Sequence, residues 1–358
     1  MSSQSSSSQT ITSIEPATGK LLWQGKTGNV DETVDRARRA WPAWAAQPLA
    51  TRIELMRRFA NEVRRVQDDF AELIARETGK PMWEARTEVE AVINKVEISV
   101  RAYAERTGQR KLDSALQGTA ALRHKPHGVM AVLGPYNFPA HLPNGHIIPA
   151  LIAGNAVVFK PSEKTPAVAE LLVKCFHQAG VSAAVVQVLV GGPQEGKDLV
   201  AHAGIDGVLF TGSAQAGIAI NKKLATNPGK IVALEMGGNN PIVLWDTPLL
   251  DDAANIVIQS AFTTAGQRCT AARRLIVKRT IYDEALERVK AVADRVIVSG
   301  PFSDPAPFMG PVIDNQAADQ LTESFLYLLS NGGKAIKHMK RPNDDLPFIS
   351  PAIIDTTK

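Results

Sequence analysis

Three short segments carry side chains whose chemistry stands out. In GQRCT, Cys269 lies in a turn-forming stretch after a helical run, with Arg268 beside it and Gly266 shortly before. The thiolate is the nucleophilic form of cysteine, and a neighbouring cation or backbone dipoles lower the thiol pKa from about 8.5. In LEMGGNNP, Glu235 ends an apolar run and is followed by Gly237 and Gly238. Apolar flanks push a carboxyl pKa up and suit it to act as a general base on water; an ion pair at a strand end is the other reading. In GPYNFP, Asn137 sits between Pro135 and Pro139, where a rigid loop can fix an amide donor for an oxyanion. A plain turn asparagine competes with that role.

Two further segments suit a nucleotide. FTGSAQAG brings Gly212, Ser213, Ala214, Gln215, Ala216 and Gly217 to a strand-to-helix turn, whose free backbone N–H groups suit a pyrophosphate. The spacing is not the GxGxxG fingerprint, and Ile218 and Ala219 stand where a phosphate loop needs Lys and Ser or Thr, so an ordinary tight turn stays open. In VVFKPSE, Lys160 and Glu163 follow a buried strand at the end where open parallel sheets bind ligands. They could bond the two hydroxyls of an adenosine ribose, the acid favouring NAD over NADP, or form a solvated loop pair. The second cysteine, Cys175 in AELLVKCFHQAG, reads as a small buried hydrophobe.

The elements that must position these groups follow from periodicity. From Asp31 to about Gln109 apolar residues recur at helical spacing, as in Val34, Ala37, Ala40 and Trp41, then Ile53, Leu55, Met56 and Phe59. Lys111 to Lys125 alternates like an exposed ribbon. Beyond it, apolar runs at Val129–Leu133, Ala156–Phe159, Val185–Val190, Val208–Phe210 and Ile231–Leu234 are separated by amphipathic stretches, which predicts β-α-β repetition around a parallel sheet. One helix is bracketed by Thr165 as a cap, Pro166 at its first position and Gly180 at its end. A second α/β series starts near Pro241: PIVLW, a helix from Asp251 to Thr264, and RLIVK after Cys269. The domain change is placed near Gly238.

At 358 residues two domains are expected, and the 44% apolar and 21% charged composition is that of a globular enzyme. The net charge of +4 argues for no nucleic-acid partner and slightly favours an anionic substrate. Two cysteines make neither a disulfide framework nor a zinc motif, so no metal is expected. With no signal segment and no apolar stretch near the ~18 residues a membrane helix needs, no membrane association and a cytoplasmic location are expected. MSSQSSSSQT reads as a disordered tail.

Taken together and in this order, GPYNFP, VVFKPSE, FTGSAQAG, LEMGGNNP and GQRCT resemble the aldehyde dehydrogenase superfamily over nearly the whole chain, from about Thr10. The resemblance implies an α/β fold with a Rossmann-type parallel sheet domain and a second α/β catalytic domain. It places a tail at 1–10, an NAD-binding domain at 11–110 and 127–237, an oligomerisation arm at 111–126 and a catalytic domain at 238–358. Cys269 is then the nucleophile of a thioester mechanism, Glu235 the water base, and Asn137 with the Cys269 backbone N–H the oxyanion hole. Lys160 and Glu163 hold the ribose of NAD, and Gly212 to Gly217 lie against its pyrophosphate. A homo-oligomer and a small aldehyde substrate are implied. RETGKPMWEARTEVEAVINKVEISVRAYAERTG, LRHKPHGV, NFPAHLPNGHIIPA and LEMGGNNP resemble a bacterial branch whose aldehyde also carries carboxylates. From their crowding around Asn137 and Cys269, His141, Asn144, His146 and Arg268 are candidate contacts for those carboxylates, with loop polar residues satisfied by backbone as the other reading. The chain stops at PAIIDTTK, before a family segment with a ribose-contacting glutamate, so the catalytic domain is expected to be incomplete and the chain could be inactive. The competing expectations are a coenzyme A acylating relative, a dehydrogenase for another small aldehyde, and a silent NAD-binding fragment.

Overall fold

The computed structural model describes residues 9–108, 110–112, 118 and 120–357. The tail expected at 1–10 therefore lies mostly outside the described residues. What is described divides into two compact units, one comprising residues up to Ser13, Trp23–Ala71 and Arg86–Glu235, the other Ile14–Leu22, Glu72–Ala85 and the chain from Met236 onward. The change of unit after Glu235 falls a few residues before Gly238, and the second unit also draws in two short N-terminal stretches.

A two-stranded ribbon, β1 (Thr10–Ile14) and β2 (Leu21–Lys26), precedes four helices: α1 (Val30–Ala45), α2 (Leu49–Arg65), α3 (Gln67–Thr78) and α4 (Met82–Arg106). Asn29 starts α1 by accepting the Glu32 N–H at 3.0 Å, with Asp31 and Glu32 in the first turn against the positive helix end. Helical periodicity buries Val34 and Ala37 of α1, then Met56, Phe59 and Val63 of α2. In α4 it buries Ala85, Val89, Val92 and Val96. Next come β3 (Arg110–Leu112) and β4 (Ala120–Leu122), which pair antiparallel. Much of the arm expected at 111–126 lies outside the described residues.

The first unit is built on β5 (Val129–Leu133), α5 (His141–Ile152), β6 (Ala156–Lys160), α6 (Pro166–Gln178), β7 (Val186–Val188), α7 (Pro193–Ala201), β8 (Gly207–Gly212), α8 (Ala214–Leu224) and β9 (Ile231–Met236). The sheet order is β7-β6-β5-β8-β9, and β5 pairs in parallel with both β6 and β8. The chain thus winds outward from β5 to β7 and then returns to the other side of β5, which sets the topological switch point between β5 and β8. All of β6 and all but the last residue of β5 are buried, as a strand covered on both faces requires. Phe59 and Phe176 stack at 3.8 Å between ring centroids in the surrounding core. Pro166 does begin α6 and Gly180 follows it at φ +98°, but Thr165 makes no side-chain capping bond.

The second unit centres on a parallel pair, β10 (Asn240–Leu244) and β11 (Ala272–Val277), joined by α9 (Leu250–Phe262). Pro241 cannot donate to the ladder, and the register slips there, Asn240 opposing Ala272 and Pro241 opposing Arg274. On α9, Ala253, Ala254, Val257 and Ile258 pack with Ala285, Val289 and Ala293 of α10 (Tyr282–Asp294). The unit continues with α11 (Asn315–Ser330) and an antiparallel pair, β12 (Lys334–Lys337) and β13 (Ile353–Asp355). Within this unit Gly79 and Gly310 cross backbone on backbone: a Cβ added at Gly310 would stand 1.9 Å from the Gly79 carbonyl oxygen. Among the described residues no helix is long and apolar enough to cross a membrane.

Candidate active site

In the first unit the sequence candidates gather at one edge of the sheet. Lys160 is the last residue of β6, Asn137 lies in the loop after β5, Gly212 closes β8 and Glu235 lies at the end of β9. Because β5, β6 and β8 run parallel, these are all C-terminal strand ends, the edge at which open α/β sheets receive ligands.

Lys160 is 6% exposed, so a solvated surface pair does not describe it. Burial pushes its pKa down, opposed by Glu163 and Glu195. The ammonium donates to the Pro161 carbonyl at 2.9 Å and stands 4.0 Å from Glu163 Oε2, too far for a direct hydrogen bond. Side by side, the ammonium offers a donor and the carboxylate an acceptor, the pair of functions that the two hydroxyls of a diol such as a ribose can use. The expected glycine turn is shorter than FTGSAQAG implied. Ser213 caps α8 by accepting the Ala216 N–H at 3.2 Å, and the helix already begins at Ala214. Gly217 is therefore a buried helical residue, while Ser213, Ala214 and Gln215 present the exposed N-terminus of the helix. Free N–H groups at a helix start suit a phosphate.

Asn137 Oδ1 accepts the Phe138 N–H at 3.1 Å, which orients the amide. The loop is held by a residue that sequence reasoning missed. Glu88 of α4 is 1% exposed, and its Oε1 accepts the N–H groups of Ala140 and His141 at 3.0 and 3.1 Å, at the start of α5. Of the proposed carboxylate contacts, Asn144 is fully buried and donates to the Val92 carbonyl at 3.1 Å. His146 is half-buried with Nε2 3.1 Å from Thr211 Oγ1, tying α5 to the end of β8. Burial lowers its pKa, with Glu235 opposing and Lys95 assisting. Nδ2 of Asn144 and Nε2 of His146 are thus engaged within the protein, while the buried Oδ1 of Asn144 has no partner among the described residues. Glu235 is exposed.

Cys269 belongs to the second unit and lies in the turn leading from α9 into β11. It is exposed, whereas Cys175 is buried and its thiol is pushed up to about 11, mainly by desolvation. Asn240 donates to the Cys269 carbonyl at 2.6 Å. Since β10 and β11 are parallel, the thiol stands at their N-terminal end. The helix expected to reach Thr264 stops at Phe262, because the next residues turn left-handed: Thr264 has φ 57°, Ala265 φ 52° and Gly266 φ 71°. Such a conformation costs a non-glycine residue roughly 1–2 kcal/mol. It is compensated at Thr264, whose N–H and Oγ1 both donate at 2.8 Å to the buried Glu84, and whose carbonyl accepts Gln267 N and Nε2 at 3.0 and 3.1 Å. Arg268 Nε donates to Thr264 Oγ1 at 2.8 Å, and its Nη2 lies 4.0 Å from Glu84, so its charge is engaged inside the turn. Glu84 and Glu88 had one sequence signal, their four-residue spacing in line with the buried Val92 and Val96. Among the described residues no group of His, Cys, Asp and Glu side chains is placed to hold a metal ion.

A switch-point sheet with a buried lysine beside a carboxylate at its edge, in one chain with a β-α-β unit that presents an exposed thiol, defines an α/β protein of the thiol-bearing, dinucleotide-sheet class. The chain belongs to the aldehyde dehydrogenase family, whose family model matches residues 3–358. It is 76% identical to an N-succinylglutamate 5-semialdehyde dehydrogenase of Novosphingobium aromaticivorans over 97% of this chain and 74% of that protein. A protein of the same description from Sphingopyxis alaskensis is 62% identical over 98% and 73%. Among solved structures, indole-3-acetaldehyde dehydrogenase complexed with NAD+ superposes with a TM-score of 0.92 at 27% identity, covering 98% of this chain and 72% of that one. An Escherichia coli NADP dependent enzyme gives 0.91 at 30% identity, over 97% and 72%.

Proposed function

We propose that the protein oxidises N-succinyl-L-glutamate 5-semialdehyde to N-succinyl-L-glutamate with NAD, as in the succinyltransferase route of arginine degradation. The observation that carries the reading is the exposure of Cys269 in a turn fixed by hydrogen bonds, in a chain 76% identical to a relative of that description. Lys160 and Glu163 would hold the adenosine ribose and the start of α8 the pyrophosphate. NAD supplies the hydride acceptor when bound.

The chain's own groups perform the rest. The Cys269 thiolate adds to the aldehyde carbon, forming the C–S bond, and the Asn137 amide donates to the oxyanion that develops. Loss of hydride from that carbon leaves a thioester on Cys269. Glu235 takes a proton from water, the water oxygen adds to the thioester carbon, and cleavage of the C–S bond releases the acid and returns the thiolate. The test is the formation of NADH from NAD and the semialdehyde, compared between the parent protein and Cys269→Ser. Coenzyme A is left out and then added. Water-dependent turnover that Cys269→Ser abolishes is expected; turnover that survives the substitution, or that needs coenzyme A, overturns the reading.

A further inference from the structure

We propose that Glu84 is a positioning residue for the nucleophile, a buried latch that holds the left-handed turn before Cys269 and so sets how its sulfur is presented. The inference deepens the functional reading and rests on Cys269 being the reactive thiol.

The geometry is specific to this role. Glu84 is 1% exposed, and each of its carboxylate oxygens accepts one hydrogen bond from the same residue, Oε1 from Thr264 N and Oε2 from Thr264 Oγ1, both at 2.8 Å. A carboxylate with both oxygens so engaged is a clamp, and its lone pairs are directed at the turn and away from any role as a base on substrate. The residue it clamps is one that would not choose its conformation unaided: Thr264 is β-branched with φ 57°, followed by Ala265 at φ 52°. Neither has the freedom of glycine, so the turn persists because its surroundings hold it there.

Thr264 is also the hub through which the clamp reaches the thiol. Its carbonyl accepts two bonds from Gln267, and its hydroxyl accepts the Arg268 guanidinium, so the two residues immediately before Cys269 are both anchored on it. From the other side Asn240 fixes the Cys269 carbonyl at 2.6 Å. With the carbonyl held and the preceding pair held, the direction of the Cys269 Cα–Cβ bond and of its backbone N–H has little freedom. Without the clamp, Thr264 can relax toward right-handed helix and extend α9, which swings the following residues.

The experiment follows the thiol itself. Cys175 is fully buried, so iodoacetamide reads Cys269, and peptide mass analysis identifies the alkylated residue. Alkylation rates are measured against pH in the full chain for the parent protein, Glu84→Gln, Thr264→Val and Thr264→Ser, with thermal unfolding alongside. Glu84→Gln keeps the shape but removes the charge facing Arg268; Thr264→Val keeps the shape but removes the hydroxyl; Thr264→Ser keeps both donors. The expected result is alkylation about tenfold slower, with a displaced pH profile, in Glu84→Gln and Thr264→Val, and within about twofold of the parent in Thr264→Ser. Rates and pH profiles unchanged in both Glu84→Gln and Thr264→Val overturn the proposal, as does a Thr264→Ser as slow as Thr264→Val. Should Glu84→Gln not fold, the Val and Ser pair decides alone. The assay needs no substrate or cofactor, so its failure is separable from failure of the dehydrogenase reading, which the Cys269→Ser turnover measurement decides.

Discussion

Each unit carries its candidate residues at one end of its own parallel strands, and the ends differ. In the first, Asn137, Lys160, Gly212 and Glu235 stand at or beyond the C-terminal ends of the strands, where the loops of any doubly wound sheet converge. In the second, Cys269 stands before the N-terminal end of β11, beside the start of β10, and that edge has no general ligand-collecting geometry. The difference shows in how each site is fixed. The ends of β5 and β6 are positioned by the ladder of two buried strands, and Glu88 adds bonds to the N–H groups of Ala140 and His141 in the loop after β5. The thiol turn lacks a ladder on one side and instead depends on a buried carboxylate, a left-handed threonine and an asparagine.

Perturbations should separate the two arrangements, beginning with the proposed nucleophile. Cys269→Ser is expected to lower kcat by on the order of 10⁴-fold or more while leaving NAD binding intact, measured by NADH formation and by cofactor titration. A large loss of NAD affinity in that variant would break the division of labour between the units. Asn137→Ala is expected to lower kcat by about 10²- to 10³-fold, as for a lost oxyanion donor; unchanged turnover removes Asn137 from the mechanism. Lys160→Met is expected to raise the KM for NAD about tenfold or more with a smaller change in kcat, since a hydrogen bond from a charged group contributes about 1.5–3 kcal/mol. Equal losses in KM and kcat would count against a purely binding role at that strand end.

The smallest expected effect is on the pH dependence of stability. Burial raises the Glu84 carboxyl pKa, opposed by its bonds to Thr264 and by the charges of Lys80 and Arg268. A group raised in the folded state gives stability that is present below its unfolded value, about 4.3, and is lost as pH rises through the folded value. Unfolding titrations in Glu84→Gln are therefore expected to lack a decline between those two values that the parent shows. A matching decline in both proteins would assign it elsewhere.

Much of the sheet was legible because its strands are short apolar runs with nothing polar to confuse the period, as in Val129–Leu133 and Ala156–Phe159. The motif residues could be picked out because their types are chemically unusual at turns. What the sequence could not show is long-range. Glu84 bonds a residue 180 positions away, and its partner Thr264 looked like the end of a helix because nothing in TTAG announces a left-handed turn. His146 and Asn144 looked available because crowding along the sequence says nothing about which partner a polar atom already has. Arg268 was read by its neighbour in sequence, Cys269, whereas its guanidinium answers to Thr264 and Glu84.

The bare crossing of Gly79 and Gly310 bears on how this scaffold can be altered. Any side chain at Gly310 would wedge two main-chain segments apart, and one of them leads within a few residues to Met82 and the first turn of α4. A substitution there, remote in sequence from every reacting group, would tilt the base on which Glu84 stands, so mutational tolerance in this loop is set by backbone clearance of a few tenths of a nanometre and not by the chemistry of the loop's own side chains.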